Sequence, residues 1–189
     1  MLDLYLYDAR KWKNKDLGNL PTEVEDYLLC HNKDIVSRIA YLLLYKLLKD
    51  RYHLKKIKFV FEGKPRLSNN RLHFNISHTK HFVCIIISSS SVGVDIEYAN
   101  RKVSDNLYKR TLHEEEKILF NYKNDRCYII SFVKKESHLK RLGTGINCEL
   151  KSLSSLRLKD CKLFIEHKNN LLLSISTLLK EKVIIHNCL

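Results

Sequence analysis

Three short apolar segments follow one another between residues 72 and 97, and they constrain the fold more than any other feature of the sequence. They cover residues 72–77, 82–87 and 92–97, and the last two are rich in β-branched side chains. Segments of this length and composition predict β-strands. We therefore expect a buried sheet in this part of the chain.

Helices are predicted on both sides of these strands. Apolar residues recur at helical spacing from 34 to about 50, and Thr22 with Glu25 forms a capping-box pattern that places Thr22 at the N-cap of a shorter helix. Charged, leucine-bearing stretches predict helices near 103–123 and 126–142. Further strands are expected at the start of the chain up to Asp8 and near 56–61, 160–167, 170–176 and 182–186. Helices followed by strands, twice over, predict an α+β fold.

A weak internal repeat accompanies this order. Residues 171–177, followed by 183–185, resemble residues 72–78, followed by 83–86, at an offset near 99. We interpret this as two similar α+β lobes, each a small sheet with packed helices, covering residues 1–98 and 99–189. The alternative, that two apolar hairpins look alike by chance, stays open on the letters alone.

The composition narrows the class of protein. The chain has 189 residues, 44% of them hydrophobic, and two prolines and five glycines leave little material for a flexible linker. No stretch approaches the roughly 20 apolar residues of a membrane span, and the start is unlike a signal peptide, so we expect a cytoplasmic protein. The six cysteines are scattered without a Cys-x-x-Cys pair, which suggests neither a zinc site nor a disulfide frame.

The charge is strongly positive. Thirty-four Lys and Arg against 21 Asp and Glu give +13, which predicts attraction to polyanions. Nucleic acid, an acidic protein and a phosphate-rich small molecule all remain possible partners, and so does a lysine-rich surface that only aids solubility.

Asp95 and Glu97 are two residues apart on a predicted strand, so both side chains leave the same face. Carboxylates held about 4 Å apart repel by roughly 4 kcal/mol at an effective dielectric near 20, and a hard divalent cation with oxygen ligands removes that cost. The pair is therefore a candidate metal site. A strand that simply ends in water accounts for most Asp-x-Glu pairs and is the alternative here.

Two further segments carry ambiguous chemistry. Glu136 and Lys140 are four apart on a predicted helix that ends at glycine, where a surface salt bridge would explain them. Ser77 and His78 are adjacent on a strand and point to opposite faces, which argues against a nucleophile and its base. They suit phosphate or nucleotide binding, although His78 is equally suited to a structural role, and Lys64 after a glycine has the same ambiguity.

Four blocks together resolve these ambiguities. Residues 62–65 (Glu-Gly-Lys-Pro), 74–78 (Phe-Asn-Ile-Ser-His), 92–97 (Val-Gly-Val-Asp-Ile-Glu) and 135–145 (Lys-Glu-x-x-x-Lys-x-x-Gly-x-Gly) occur in this order. In all four the sequence resembles the surfactin-synthetase-type 4'-phosphopantetheinyl transferases, from roughly Tyr27 through Gly145. The resemblance implies two pseudo-symmetric α+β lobes. Because Lys64 and His78 come from one lobe and Glu136 and Lys140 from the other, we expect a pseudo-two-fold axis with a nucleotide in the cleft between the lobes.

The resemblance also implies a magnesium-dependent enzyme. Asp95, Glu97 and Glu136 match the family's magnesium-binding acids, and Glu136 is also the candidate base that activates the acceptor serine. Lys140 matches the lysine that contacts the pyrophosphate of coenzyme A. Glu116 is a candidate for a further family acid, in a run of three glutamates whose register is ambiguous.

The remaining candidate residues concern coenzyme A. Lys64, Ser77 and His78 match positions that hold the nucleotide and its 3'-phosphate, and Lys33 and Arg38 resemble the basic pair that completes the phosphate site. The implied reaction moves 4'-phosphopantetheine from coenzyme A to a serine of an apo acyl or peptidyl carrier protein and releases 3',5'-ADP. We expect a monomer that docks an acidic carrier surface and binds neither nucleic acid nor membrane.

The sequence departs from the family pattern in two places, and two alternative functions remain. The family's aromatic residue before the Lys-Glu pair is tryptophan, whereas here it is Phe132, and the C-terminal lobe is short and rich in Lys and Asn. The main alternative is a basic nucleic-acid-binding protein without catalysis. A catalytically silent family member is the second, although all three acids and Lys140 are present.

Overall fold

The computed structural model describes residues 2–13, 18–31, 33–69, 71–120, 124–145 and 150–189. Cys148 and residues 121–123 of a predicted helix lie outside these ranges. Within them, no helix has both the length and the apolar character needed to cross a bilayer. In chain order the elements are β1 (Leu2–Asp8), α1 (Thr22–Cys30), α2 (Ile35–Asp50), β2 (Phe59–Val60), β3 (Arg66–Leu67), β4 (His73–His78), β5 (Phe82–Ser88), β6 (Val92–Tyr98), α3 (Asp105–Thr111), α4 (Glu114–Leu119), α5 (Asp125–Leu142), β7 (Cys161–Glu166), β8 (Leu171–Thr177) and β9 (Ile184–Cys188).

The chain divides into two compact units. Unit 1 comprises Met1–Ser90 with Lys180–Leu189, and unit 2 comprises Ser91–Leu179. The expected lobes, 1–98 and 99–189, differ from these units in two places. Strand β6 pairs with β8 and therefore lies in unit 2, and β9 pairs with β1 and therefore lies in unit 1.

Unit 1 is a four-stranded sheet in the order β4-β5-β1-β9 with helix α2 packed on it. The sheet is antiparallel except for the parallel pair of β1 and β9. The side chain of Asp34 caps α2 by accepting a hydrogen bond from the Ser37 backbone N–H at 2.8 Å. The strand predicted over 56–61 is shorter in the structure, where it forms only the two-residue β2.

The predicted capping box at Thr22 is wrong. Pro21 is the N-cap residue and Thr22 is the first helical residue, without a side-chain cap. Proline fixes φ near the helical value but has no side-chain acceptor, so the helix begins without that hydrogen bond. Glu25 instead forms an ion pair with Arg38.

Unit 2 is a three-stranded antiparallel sheet in the order β6-β8-β7, with α5 packed against β6 and β8. The helix predicted over 126–142 is confirmed as α5, whereas the helix predicted over 103–123 is two helices. The chain is extended at Leu112 and His113, and His113 begins α4 as the N-cap residue of a capping box with Glu116. The new start satisfies backbone donors that a continuous helix would have used internally.

The two units share one order of strand pairing. In unit 1, β1 and β4 both pair antiparallel with β5, and in unit 2, β6 and β7 both pair antiparallel with β8. Leu2 begins β1 and Val92 begins β6, 90 residues later. The predicted offset near 99 is therefore wrong, because it matched residues 171–177 with β4 when their position in the sheet corresponds to β5.

Candidate active site

Strand β6, an edge strand of the unit 2 sheet, carries the candidate acids Asp95 and Glu97. Asp95 lies opposite Ser174 and Glu97 opposite Leu172 of β8. Alternation along a strand puts both side chains on the same face, together with the Gly93 position. Asp95 is buried and Glu97 is half-buried, so the strand does not end in bulk water at these residues.

Gly93 allows helix α5 to lie directly on this face. A Cβ atom at position 93 would lie 2.0 Å from the carbonyl oxygen of Ser137 and 2.5 Å from the backbone nitrogen of Arg141. Only glycine fits so close to a helix backbone. The same approach brings Glu136 and Lys140, one residue before each of these contacts, to the face that carries Asp95.

Lys140 pairs with Asp95. Its Nζ donates to Asp95 Oδ1 at 2.6 Å, although 45 residues separate the two along the chain. The ion-pair partner of Lys140 is thus Asp95, and the alternative of an ordinary surface salt bridge with Glu136 does not explain the position of the ammonium group. Arg101, four residues after Glu97, forms the corresponding ion pair with the second acid. Sequence reasoning missed Arg101, because i,i+4 pairing is expected on a helix, whereas Glu97 lies on a strand and Arg101 follows that strand.

Glu136 is an electrostatically unfavourable carboxylate. Its pKa is raised, first because burial penalises the charged form and then because the Asp95 and Glu97 carboxylates repel it, against the opposing ammonium of Lys140. Burial also raises the pKa of Glu97, where Arg101 opposes the shift and Asp95 adds to it. The mutual repulsion shows that the three acids share one region of unit 2.

The donor chemistry of this region fits a hard divalent cation. Glu136 Oε1 is buried and has no hydrogen-bond partner among the described residues. Three carboxylates supply the oxygen ligands that magnesium prefers. Among the residues that the structure describes, their oxygens do not all fall within 4.8 Å of one another. Asp95 and Glu97 would have to turn from Lys140 and Arg101 to share one ion.

Glu116 lies apart from these acids and has a different role. It is fully buried and pairs with buried Lys135, whose Nζ lies 2.5 Å from Glu116 Oε2. Ser131 Oγ and the Ser155 backbone N–H also donate to Glu116. Its pKa is lowered, because these hydrogen bonds and the Lys135 ammonium outweigh the burial that acts in the opposite direction. Glu116 therefore ties α4 to α5.

Phe132 keeps the packing role of an aromatic residue. Its ring stacks on Tyr128 with centroids 5.9 Å apart, and the Arg101 guanidinium lies over it at 6.0 Å. Phe132 thus helps place the cation that pairs with Glu97.

In unit 1, His78 lies at the N-terminal end of α2. Its Nε2 is 2.9 Å from Ser37 Oγ and 3.9 Å from Asp34 Oδ1. Lys33 directly precedes Asp34 and is exposed. The structure thus brings Lys33 and His78 to the same end of one helix, where backbone N–H groups favour anions.

The other three unit 1 candidates have different surroundings. Ser77 is buried, one residue before His78 on β4. Arg38 is paired with Glu25. Lys64 lies near His73, at the opposite end of β4 from His78; burial lowers the pKa of His73 and the charge of Lys64 adds to that effect.

Comparisons with known proteins place this chain beside one family. Residues 91–184 match the family model described as the 4'-phosphopantetheinyl transferase superfamily. The 4'-phosphopantetheinyl transferase ffp of Bacillus subtilis is 32% identical over 139 residues, which are 66% of this chain and 59% of that protein. The 4'-phosphopantetheinyl transferase gsp of Aneurinibacillus migulanus is 33% identical over 94 residues, 48% of this chain and 39% of that protein.

The similarity is partial in length. A Haemophilus influenzae relative is 32% identical over 124 residues, which are 58% of this chain and 51% of that protein. The chain thus spans between about two fifths and three fifths of these curated relatives. Asp95, Glu97, Glu136 and Lys140 all fall inside the region that matches the family model.

Proposed function

We propose, because the chain belongs to the 4'-phosphopantetheinyl transferase superfamily, that it transfers 4'-phosphopantetheine from coenzyme A to a serine of an apo acyl or peptidyl carrier protein. The released product is 3',5'-ADP. The observation that carries the proposal is the meeting of Asp95, Glu97, Glu136 and Lys140 on one face of the unit 2 sheet. Phosphoryl transfer needs positioned charges of both signs, and this face supplies them.

Glu136 is the proposed general base. Burial and the neighbouring carboxylates raise its pKa, which makes its carboxylate more basic than an exposed glutamate. A base whose pKa lies closer to the working pH accepts a proton more effectively from the attacking serine hydroxyl. The serine oxygen would then bond to the phosphorus that carries phosphopantetheine, and the bond to the leaving 3',5'-ADP would break.

Lys140 is the proposed electrostatic partner of the leaving group. Its ammonium now donates to Asp95, and rotation toward a bound pyrophosphate would place the positive charge beside the oxygen on which negative charge develops. Asp95, Glu97 and Glu136 would hold magnesium, which when bound neutralises the pyrophosphate and the three acids together.

Unit 1 is the proposed site of the nucleotide. The N-terminal end of α2, with Lys33 and His78 beside it, suits the 3'-phosphate of coenzyme A. Arg38 would have to leave Glu25 to join this site. We retain as proposed ligands of coenzyme A all five candidates: Lys33, Arg38, Lys64, Ser77 and His78.

The proposal extends to the arrangement and partners of the protein. The shared order of strand pairing in the two units supports the predicted pseudo-two-fold relation, which remains a prediction, as does the nucleotide site between the lobes. A charge of +13 supports docking to an acidic carrier surface that weakens as salt is added. The monomeric state and the cytoplasmic location also remain predictions.

The test is incubation of the chain with coenzyme A and a panel of apo carrier proteins, followed by intact mass. We expect a carrier to gain one phosphopantetheine in magnesium and none in EDTA. Glu136→Gln should be nearly inactive, while Glu166→Gln, an acid of the same unit outside the site, should match the wild type. No transfer to any carrier, together with salt-dependent binding to unrelated DNA or RNA, would favour the nucleic-acid-binding alternative.

A further inference from the structure

A second group of potential metal ligands lies in unit 2 outside the candidate active site. His138 of α5, Asp160 before β7 and Cys161 at the start of β7 each offer a ligand atom, and all three atoms lie within 4.8 Å of one another. We call these residues the mixed-donor cluster. All three are partly buried, and Cys161 is a free cysteine.

Neighbouring residues hold the mixed-donor cluster in place. His138 Nδ1 lies 2.8 Å from Asp160 Oδ2, and Arg141 Nε donates to the same oxygen at 3.1 Å. Ser176 Oγ also donates to Asp160. Cys161 Sγ donates to the Lys134 carbonyl at 3.4 Å. Such outer contacts are what orients metal ligands and raises metal affinity.

The chemistry of the cluster argues against a nucleophilic cysteine. Burial and the charge of Asp160 raise the pKa of the Cys161 thiol, whereas a reactive cysteine needs a lowered pKa and a cationic neighbour in contact with the sulfur. His138 makes its described ion pair with Asp160. A cysteine–histidine dyad is therefore a poor description of this group.

We propose that the mixed-donor cluster binds a divalent transition metal of the zinc class. Imidazole nitrogen, carboxylate oxygen and thiolate sulfur form a donor set that zinc accepts and magnesium does not. On binding, the metal replaces the contact between His138 and Asp160, and a sulfur–metal bond forms while the Cys161 proton passes to solvent. The charges of the thiolate and of Asp160 then balance the divalent ion, and a fourth position stays open to water.

The proposed metal would act on the helix that carries the active-site residues. His138 lies two residues after Glu136 and two before Lys140 on α5, while Asp160 and Cys161 lie at the start of β7. A metal bound to all three would fasten α5 to β7. Because only the folded chain brings these ligands together, binding should also raise thermal stability.

The test uses cobalt(II) as a spectroscopic substitute, titrated into the full chain without coenzyme A or carrier, in a non-chelating reductant. We expect one equivalent to give a thiolate-to-cobalt charge-transfer band in the near ultraviolet, which zinc abolishes and excess magnesium leaves unchanged. Cys161→Ser should remove the band, and His138→Gln should weaken binding by at least about tenfold, the lower end of what loss of an outer contact costs. Cys127→Ser, a matched cysteine outside the cluster, should keep the band.

The proposal is overturned if the wild type gives no such band, or if the band persists in Cys161→Ser. Circular dichroism of each variant shows whether it is folded. If Cys161→Ser is unfolded, His138→Gln decides, because an unchanged cobalt affinity in that variant also overturns the proposal. None of these readings depends on transfer activity, so they stand apart from the test of the proposed function.

Discussion

The two units use the same order of strand pairing but place different chemistry on the matching strand. Counting from the first residue of each strand, the positions of Asp95 and Glu97 in β6 correspond to those of Tyr5 and Tyr7 in β1. Both tyrosines are buried, and burial is the main cause that raises the pKa of each phenol. The positions in unit 1 that match Asp95 and Glu97 thus carry aromatic side chains where unit 2 carries carboxylates.

The helices of the two units also pack on their sheets differently. In unit 2, α5 lies against β6, the strand that carries the acids, because Gly93 removes the side chain between them. The corresponding position in β1 is Asp3, whose carboxylate accepts from Tyr52 and pairs with His186 of β9. The main contacts of helix α2 with its sheet are with β4 and β5. The two units share an order of strand pairing, but only unit 2 has a glycine that lets the helix approach the strand and carboxylates that face the helix. Only unit 2 therefore carries the candidate active site.

The largest effect that would test this difference between the units is the loss of transfer activity expected from Asp95→Ala. The change removes a carboxylate ligand and frees Lys140, so we expect transfer to fall by about 1,000-fold, the upper range for loss of one electrostatic group in a transition state. The circular dichroism spectrum should stay close to that of the wild type. Single-turnover transfer to an apo carrier measures the effect, and an Asp95→Ala enzyme within tenfold of the wild type would contradict the site.

The next largest effect is expected from Gly93→Ala, which should lower the free energy of unfolding. The new Cβ atom would meet the backbone of Ser137 and Arg141, which are not free to move as side chains are. We expect a loss of about 3 kcal/mol in the free energy of unfolding. Urea unfolding of wild type and variant measures it. A loss below about 1 kcal/mol would show that α5 can withdraw from β6 without cost, and the difference between the units would then not depend on this glycine.

The sequence predicted the individual helices and strands better than the pairing between strands that are distant along the chain. Strand periodicity identified β4 to β8, helical periodicity identified α2 and α5, and spacing alone placed Asp95 and Glu97 on one face. Pairing between distant segments has no local signal, so the pairing of β9 with β1 and the central position of β8 in its sheet were missed. The same limit hid the contact of Lys140 with Asp95 and the mixed-donor cluster, whose ligands come from two distant segments of the chain.

A smaller effect is expected from Glu136→Gln on stability. The raised pKa means that folded Glu136 binds its proton more tightly than in the unfolded chain, so stability falls as pH rises from the unfolded value through the folded pKa. Glutamine has no such charge to bury. The variant should therefore melt a few degrees above the wild type at pH 7, and this advantage should shrink below the unfolded pKa of about 4.5.

Melting curves at several pH values without magnesium provide this measurement. Glu166→Gln serves as the control, because that half-buried acid accepts hydrogen bonds from backbone N–H groups of a turn and should gain nothing at pH 7. A wild type more stable than Glu136→Gln at pH 7 would mean that the buried carboxylate is compensated in the resting protein. The contrast between the carboxylates of β6 and the tyrosines at the matching positions of β1 would then be smaller than proposed.

The smallest effect is expected from Tyr5→Phe, the change in unit 1 that corresponds in position to Asp95→Ala. It removes the hydroxyl contact of Tyr5 with Tyr52 at 3.2 Å but keeps the ring stacked on His186, with centroids 4.5 Å apart. Loss of one partly buried hydrogen bond should cost about 1 kcal/mol of stability. Transfer should stay within about twofold of the wild type, because a neutral phenol at this position has no charge to offer a phosphate. If Tyr5→Phe instead lowered transfer as far as Asp95→Ala, β1 would have to contribute to catalysis, and the assignment of chemistry to unit 2 alone would fail.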